Sequence, residues 1–274
     1  MGCLKLTYYY PQMQALRARK PVRSREAKSA QWFTTIDPLA ENHYNISPYA
    51  YCMNNPIRYI DPLGMDTLDF DHTGHLTGTR TGGDDILNVT NSKGKVVSKT
   101  FKAGTFKDYG SGNYNGNEYV YLSGDNAKNS KAMFEFLADN TDVEWGNSSF
   151  GDGQNFVTTS HEGDVESGST FLTIDKGLYN NAALLKYDHS HPIVPGDPRR
   201  SSVDQLNYPS GLPDSNSAGI GDIEVLRGRI NHAMKNGQSI PSMRIYLQGK
   251  GYRSFDLNST LKQFNNLPTW YYEW

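Results

Sequence analysis

Cysteine is the scarcest resource in this 274-residue chain: only Cys3 and Cys52 occur, and nothing after residue 52 carries a thiol. That excludes a disulfide framework and a thiolate-ligated zinc ribbon from the larger part of the chain, so a metal site there has to use histidine and carboxylate. Long apolar runs are missing too. No stretch approaches the roughly 18 uninterrupted apolar residues of a spanning helix, and the opening MGCLKLTYYY lacks the ordered charged, apolar and cleavage regions of an export signal. Its Gly2 would invite lipidation, but Thr7 falls one place beyond the sixth position that a myristoylation signal requires. Charge of one sign is also lacking. A formal net charge of -2 gives no global pull toward nucleic acid or anionic membrane. What is plentiful is glycine, 26 residues, and tyrosine, 18, which together with a mean hydropathy of -0.66 point to a strand-rich, turn-rich protein.

Composition shifts divide the chain into four parts. Residues 1–30 hold a basic run (Arg17, Arg19, Lys20, Arg23, Arg25, Lys28) without helical or strand periodicity, which reads as a solvated segment. Residues 31–65 are dense in Tyr, Pro and Asn, whose turns break any helix. Residues 66–124 alternate short β-like runs with turns, as in TLDFDHTGHLTGTR, KGKVVSKTF and NEYVYLSG, and read as hairpins; His72 and His75 flank a glycine at one tip. Residues 125–274 form the last part. There a helix is expected over residues 126–140, with Ala132, Phe134, Phe136 and Leu137 inward, and a second from Asp222, where Ile223, Leu226, Ile230 and Ala233 recur at helical spacing before Gly237. TDVEWG, FVTTSHEG, STFLTIDKG, AALLKYDHSH and SMRIYLQGKGYRSFDL are each expected as a strand.

The sharpest local signal is His189-Ser190-His191-Pro192. In an extended chain residues i and i+2 project from one face, so both imidazoles reach one ion. A catalytic zinc takes about three protein ligands and keeps one open position, so a carboxylate should complete the set. Asp204 and Asp222 are the candidates downstream. Asp188 is a candidate acceptor for the far nitrogen of a ligand ring.

Two family resemblances follow from these motifs. DPLAENHYNISPYAYCMNNPIRYIDPLG closely resembles the end of the RHS repeat-associated core of bacterial polymorphic toxins. That resemblance implies a shell remnant, a boundary near Met65 with Asp61 among the candidate cleavage residues, and a toxin domain beyond it. Over about 130–250, an upstream Glu, then HSHP, then an Asp heading a helix resembles the JAB/JAMM metalloproteases. By that resemblance Glu144 is the base, with Glu162 and Glu166 as alternatives, and His189, His191 and an Asp hold zinc. Asp222 is favoured because it opens an amphipathic helix as the family Asp does, whereas Asp204 keeps the family's S-x-x-D spacing with Ser201. The oxyanion serine is Ser217 first and Ser210 second. The implied fold is α/β (α+β), a mixed and mainly antiparallel sheet flanked by helices with the zinc at one edge, preceded by β-hairpins and the RHS remnant. The implied activity is a zinc peptidase or deubiquitinase-like isopeptidase delivered by a specialised secretion system, with a protein substrate and a cognate immunity protein as partners. The rival functions are a metal-dependent nuclease and an inert structural or binding protein.

Overall fold

The computed structural model describes residues 66–81, 84–175, 182–202, 206–216, 218–219 and 221–268. The basic segment, the RHS-like stretch with Asp61 and Met65, both cysteines, Asp204 and Ser217 lie outside them. Eleven strands and four helices are described: β1 (Asp66–Asp71), β2 (Leu76–Thr81), β3 (Asp85–Thr90), β4 (Val96–Phe101), β5 (Phe106–Tyr114), β6 (Asn117–Gly124), α1 (Ala127–Asn140), β7 (Gly146–Phe150), β8 (Asn155–Thr159), α2 (Gly168–Asp175), β9 (Leu184–His191), α3 (Asp222–Lys235), β10 (Ser242–Leu247), β11 (Gly251–Phe255) and α4 (Leu261–Asn266).

Two sheets result, one of four strands in the order β2-β1-β3-β4 and one of seven in the order β11-β10-β9-β7-β8-β6-β5. All neighbours in the larger sheet are antiparallel except β9 and β10, whose parallel pairing requires the crossover through α3. The architecture is the expected mixed, mainly antiparallel sheet flanked by helices. Over 66–124, where hairpins are expected, β1–β2, β3–β4 and β5–β6 pair antiparallel, and β1 also pairs with β3 in parallel. β5 and β6 belong to the seven-stranded sheet.

α1 starts where Asn126 accepts the Asn129 N–H, a side-chain cap for a free backbone donor. It buries Met133, Phe134 and Leu137 in a core shared by Leu68 and Leu87 of the small sheet and Val157 and Tyr252 of the large one. A second core lies under α3, joining Leu172, Ile223, Leu226, Met243 and Ile245.

Three expectations are corrected, the first being TDVEWG, which is irregular up to its last residue, Gly146, where β7 begins. STFLTIDKG, rich in β-branched residues, holds the helix α2: Glu166 Oε1 accepts the Ser169 N–H at 2.9 Å, Thr173 Oγ1 donates to the Ser169 carbonyl one turn back, and buried Leu172 anchors the helix. Tertiary burial overrides strand propensity here. SMRIYLQGKGYRSFDL is the hairpin β10–β11, because Gly249 (φ +65°) and Gly251 (φ +115°) take backbone conformations that close a turn.

Candidate metal centre

β9 lies inside the sheet, between β7 and β10, rather than at its edge. Residues 187–191 are all buried. Alternation then divides the strand: His189 and His191 share one face and Asp188 and Ser190 the other. Asp188 accordingly does not orient a ligand ring. It meets Arg244 Nε at 2.9 Å and Lys186 Nζ at 3.1 Å, and its buried charge is compensated there. Ser190 Oγ accepts the Trp145 N–H and the Ser190 N–H donates to the Trp145 carbonyl, both at 2.8 Å. The residue after Glu144 is thereby fastened to the histidine strand.

Asp222 comes to the two histidines as the first residue of α3. Its helix has Gly221 at the cap (φ +82°), where a Cβ would lie 2.1 Å from Ser210 Oγ. Glycine lets Ser210 supply the cap instead: the Asp222 N–H donates to Ser210 Oγ at 2.9 Å, and Asp222 Oδ2 accepts the Ser210 N–H at 2.7 Å. The carboxylate is therefore fixed from both ends.

The three donors converge. His189 Nε2 is 3.1 Å from His191 Nε2 and 3.0 Å from Asp222 Oδ1, and His191 Nε2 is 3.6 Å from Asp222 Oδ2. Ligands about 2.0–2.1 Å from a tetrahedral ion stand roughly 3.3 Å apart, and here the two histidine nitrogens and one or the other Asp222 oxygen lie 3.0–3.6 Å from one another, a group that could hold one ion. Among the described residues no other set of three such groups comes together. His191 Nδ1 donates to the Leu206 carbonyl at 2.8 Å, which leaves the Nε2 lone pair facing Asp222 and His189 when the ring is neutral. His189 Nδ1 is buried with no hydrogen-bond partner; its ring is held by Tyr187, nearly parallel with centroids 5.8 Å apart, and by the edge of Phe255 at 6.3 Å.

The titratable groups of the site shift one another. Burial alone would raise Asp222, yet the charges and hydrogen bonds of His189 and His191 hold it well below the usual carboxylate range. Burial alone would lower His191, yet its bond to Asp222 and the charges of Glu144 and Asp222 push it up to about 9. Glu144 is pushed well above the ordinary range by burial, with His191 opposing.

Glu144 sits just ahead of β7, 7% exposed, and lines a cleft of about 170 Å³ with His191, Asp222 and Tyr208. Of the alternatives, Glu162 is exposed and contributes its backbone carbonyl to the Glu144 N–H. Glu166 has both oxygens engaged, by Thr158, Ser169 and Tyr187. Ser217 and Asp204 lie outside the described residues; Ser210, twelve positions before Asp222, lines the cleft. Sequence reasoning missed Leu206 and the Ser190–Trp145 lock, because backbone acceptors and long-range pairings carry no local motif. Ser190 had one available signal, its place between the two histidines on an alternating strand.

No match was found among curated proteins or among solved structures. One family model does match: residues 122–225, from β6 into α3, are similar to the family described as JAB-like toxin 1, which supports a JAB-like toxin domain over the stretch that carries Glu144, His189, His191 and Asp222.

Proposed function

We propose that the chain is a zinc-dependent JAMM-like peptidase or isopeptidase, acting as the toxin part of an RHS polymorphic toxin on a protein of a target cell. The observation that carries this reading is the spacing of the His189, His191 and Asp222 donors for one tetrahedral ion beside a buried Glu144. Held by His189, His191 and Asp222, zinc would supply Lewis acidity toward a carbonyl oxygen and would acidify a water.

The chain's own residues do the rest. Glu144 Oε takes the proton of the attacking water and passes it to the leaving nitrogen, and its raised pKa suits both halves of that transfer. Ser210 spends its oxygen lone pair on the Asp222 N–H, so its hydroxyl proton is free to steady the developing carbonyl oxyanion. Arg200 secures the wall of the cleft, donating to the carbonyls of Asp142 and Gly163 at 3.0 and 2.7 Å.

A nuclease would need free cations for phosphate, but Arg199 and Arg200 are committed to Asp164 and Asp197. Delivery by a specialised secretion system and neutralisation by an immunity protein complete the proposal. Zinc content and hydrolysis of protein substrates by the purified full chain test it. About one zinc per chain, lost in His189→Ala/His191→Ala together with cleavage, is expected; wild-type protein without zinc after reconstitution sinks the reading.

A further inference from the structure

The turn between β1 and β2 reaches the segment that carries Glu144. Gly74 (φ +78°) packs so closely that a Cβ there would lie 2.9 Å from Val143 Cγ2 and 3.1 Å from Thr159 Cγ2. His72 holds that segment twice, its carbonyl accepting the Asp142 N–H at 2.8 Å and its Nδ1 meeting Asp142 Oδ2 at 3.0 Å. From the other side, Thr159 Oγ1 donates to the Glu144 carbonyl and the Glu162 carbonyl accepts the Glu144 N–H, both at 2.8 Å. His161 joins the two grips. Its N–H donates to Thr159 Oγ1 at 3.1 Å, its Nδ1 lies 3.2 Å from the Thr73 carbonyl, and its ring stacks on His75 with centroids 3.8 Å apart and 4° between planes.

The hydrogen bonds fix both tautomers. Thr73 Oγ1 gives its one proton to Asp71 Oδ1 at 2.8 Å, so at His75 Nδ1, also 2.8 Å away, it accepts. His161 Nδ1 faces a carbonyl and donates. Each ring therefore keeps its lone pair on Nε2, and both line a cavity of about 320 Å³ with Glu118, Glu162 and Ser160. The charged groups that face the pair are Asp71, 3.8 Å from His75 Nδ1, Glu118 and Glu162 in the cavity, and the His72–Asp142 pair beside the turn.

We propose that the His75–His161 stack is an acid-sensitive clasp that positions Glu144, closed while the rings are neutral and open once both carry a proton. Two imidazolium rings at this separation repel, whereas two neutral ones pack. His161 is already hard to charge: burial, then the neighbouring His75, hold it below 6.5, against its backbone bond and the charges of Glu118 and Asp71. A lowered value means that the open state takes the proton first. The clasp's contribution is therefore whole above the ordinary value of about 6.5 and is lost as pH falls below it. His72 and His75 lie outside the matched residues 122–225, so this buttress is supplied to the JAB-like segment by the small sheet.

The purpose assigned to the clasp rests on the proposed role of Glu144, but its existence is measured without activity. Hydrogen exchange of peptides covering 141–146 and 159–163 in the full chain, with chelator present and corrected for intrinsic rates, is compared at pH about 7.5 and about 5. In the wild type, protection falls roughly tenfold in acid; His75→Ala loses it at both pH values. His75→Phe keeps a flat partner that cannot charge, so it removes the ring–ring repulsion but not the burial of His161, and loses less protection in acid than wild type. Wild-type exchange independent of pH, His75→Ala matching wild type at neutral pH, or His75→Phe as acid-labile as wild type each overturns the clasp. With a cleavable substrate, His75→Ala lowers kcat and leaves KM; an unchanged kcat overturns the positioning role. Exchange that follows this pattern in a protein without hydrolytic activity sinks the hydrolase reading and leaves the clasp standing.

Discussion

Replacing Asp222 by Asn tests the proposed metal centre at the one candidate ligand that carries a negative charge. The amide keeps an oxygen for the Ser210 N–H, and the Asp222 backbone N–H still reaches Ser210 Oγ, so α3 retains its cap. What disappears is one negative charge 3.0 Å from one imidazole nitrogen and 3.6 Å from the other. A unit charge pair about 4 Å apart at an effective dielectric near 20 is worth ~4 kcal/mol, so zinc affinity should fall on the order of a thousandfold. Thermal denaturation reads this directly. At a zinc concentration about 100 times the wild-type Kd, binding stabilises by ~2.7 kcal/mol, or roughly 5–10 °C for a domain of this size. At the same concentration Asp222→Asn is nearly unliganded, and its zinc-dependent shift should be under about 1 °C. Without zinc the variant should melt within a few degrees of wild type. Asp204→Ala serves as the control and should keep the full shift. A zinc shift retained in Asp222→Asn, or lost in Asp204→Ala, refutes the assignment of the third ligand.

Glu144→Gln should bind zinc as wild type does and lose about 10²–10⁴ in kcat, measured with any substrate that the wild type cleaves, since only proton transfer is removed. Ser190→Ala leaves the buried Trp145 N–H without its acceptor and should cost about 1–3 kcal/mol in denaturant unfolding; a change under about 0.5 kcal/mol would mean that the lock between β9 and the Glu144 segment is dispensable. Gly146→Ala places a Cβ 2.6 Å from Glu166 Oε2 and must displace a carboxylate held by Thr158, Ser169 and Tyr187, for about 1–3 kcal/mol of destabilisation by the same measurement.

The parts of the fold that were legible in the sequence are those set by local periodicity. α1 and α3 appear where apolar residues recur at helical spacing, and α1 begins one residue after its Asn126 cap. The hairpins of 66–124 follow their glycine and asparagine turns. α2 was illegible because its residues favour a strand in isolation; what makes it helical is Glu166 catching the Ser169 N–H and Leu172 finding a core, both decided by the tertiary fold. The i, i+2 spacing of His189 and His191 was readable for the same reason as the hairpins, since alternation is a local property. Spacing alone did not choose between Asp204 and Asp222 as the candidate third ligand. A serine three residues before an aspartate favoured Asp204, whereas Asp222 takes its cap from a serine twelve positions away, a distance at which sequence pattern carries no information.

Topology supplies the reason that Asp222 can do this. β9 has an antiparallel neighbour, β7, on one side and a parallel one, β10, on the other. Chain direction allows β9 to pass to β10 only by a crossover, so α3 must start near the carboxyl end of β9, where His189 and His191 stand. Ligand sites gather at such places in open sheets because one strand's loop ends there and a helix begins. The helix start also favours a carboxylate, since its first N–H groups and dipole stabilise negative charge. A zinc held between the imidazoles would thus meet an acid that His189 and His191 already hold ionised, while Glu144 arrives from the antiparallel side, ahead of β7. On the proposed reading, ligation and proton transfer come from opposite sides of one strand, so a change that moves α3 should alter metal affinity and one that moves the entry to β7 should alter kcat.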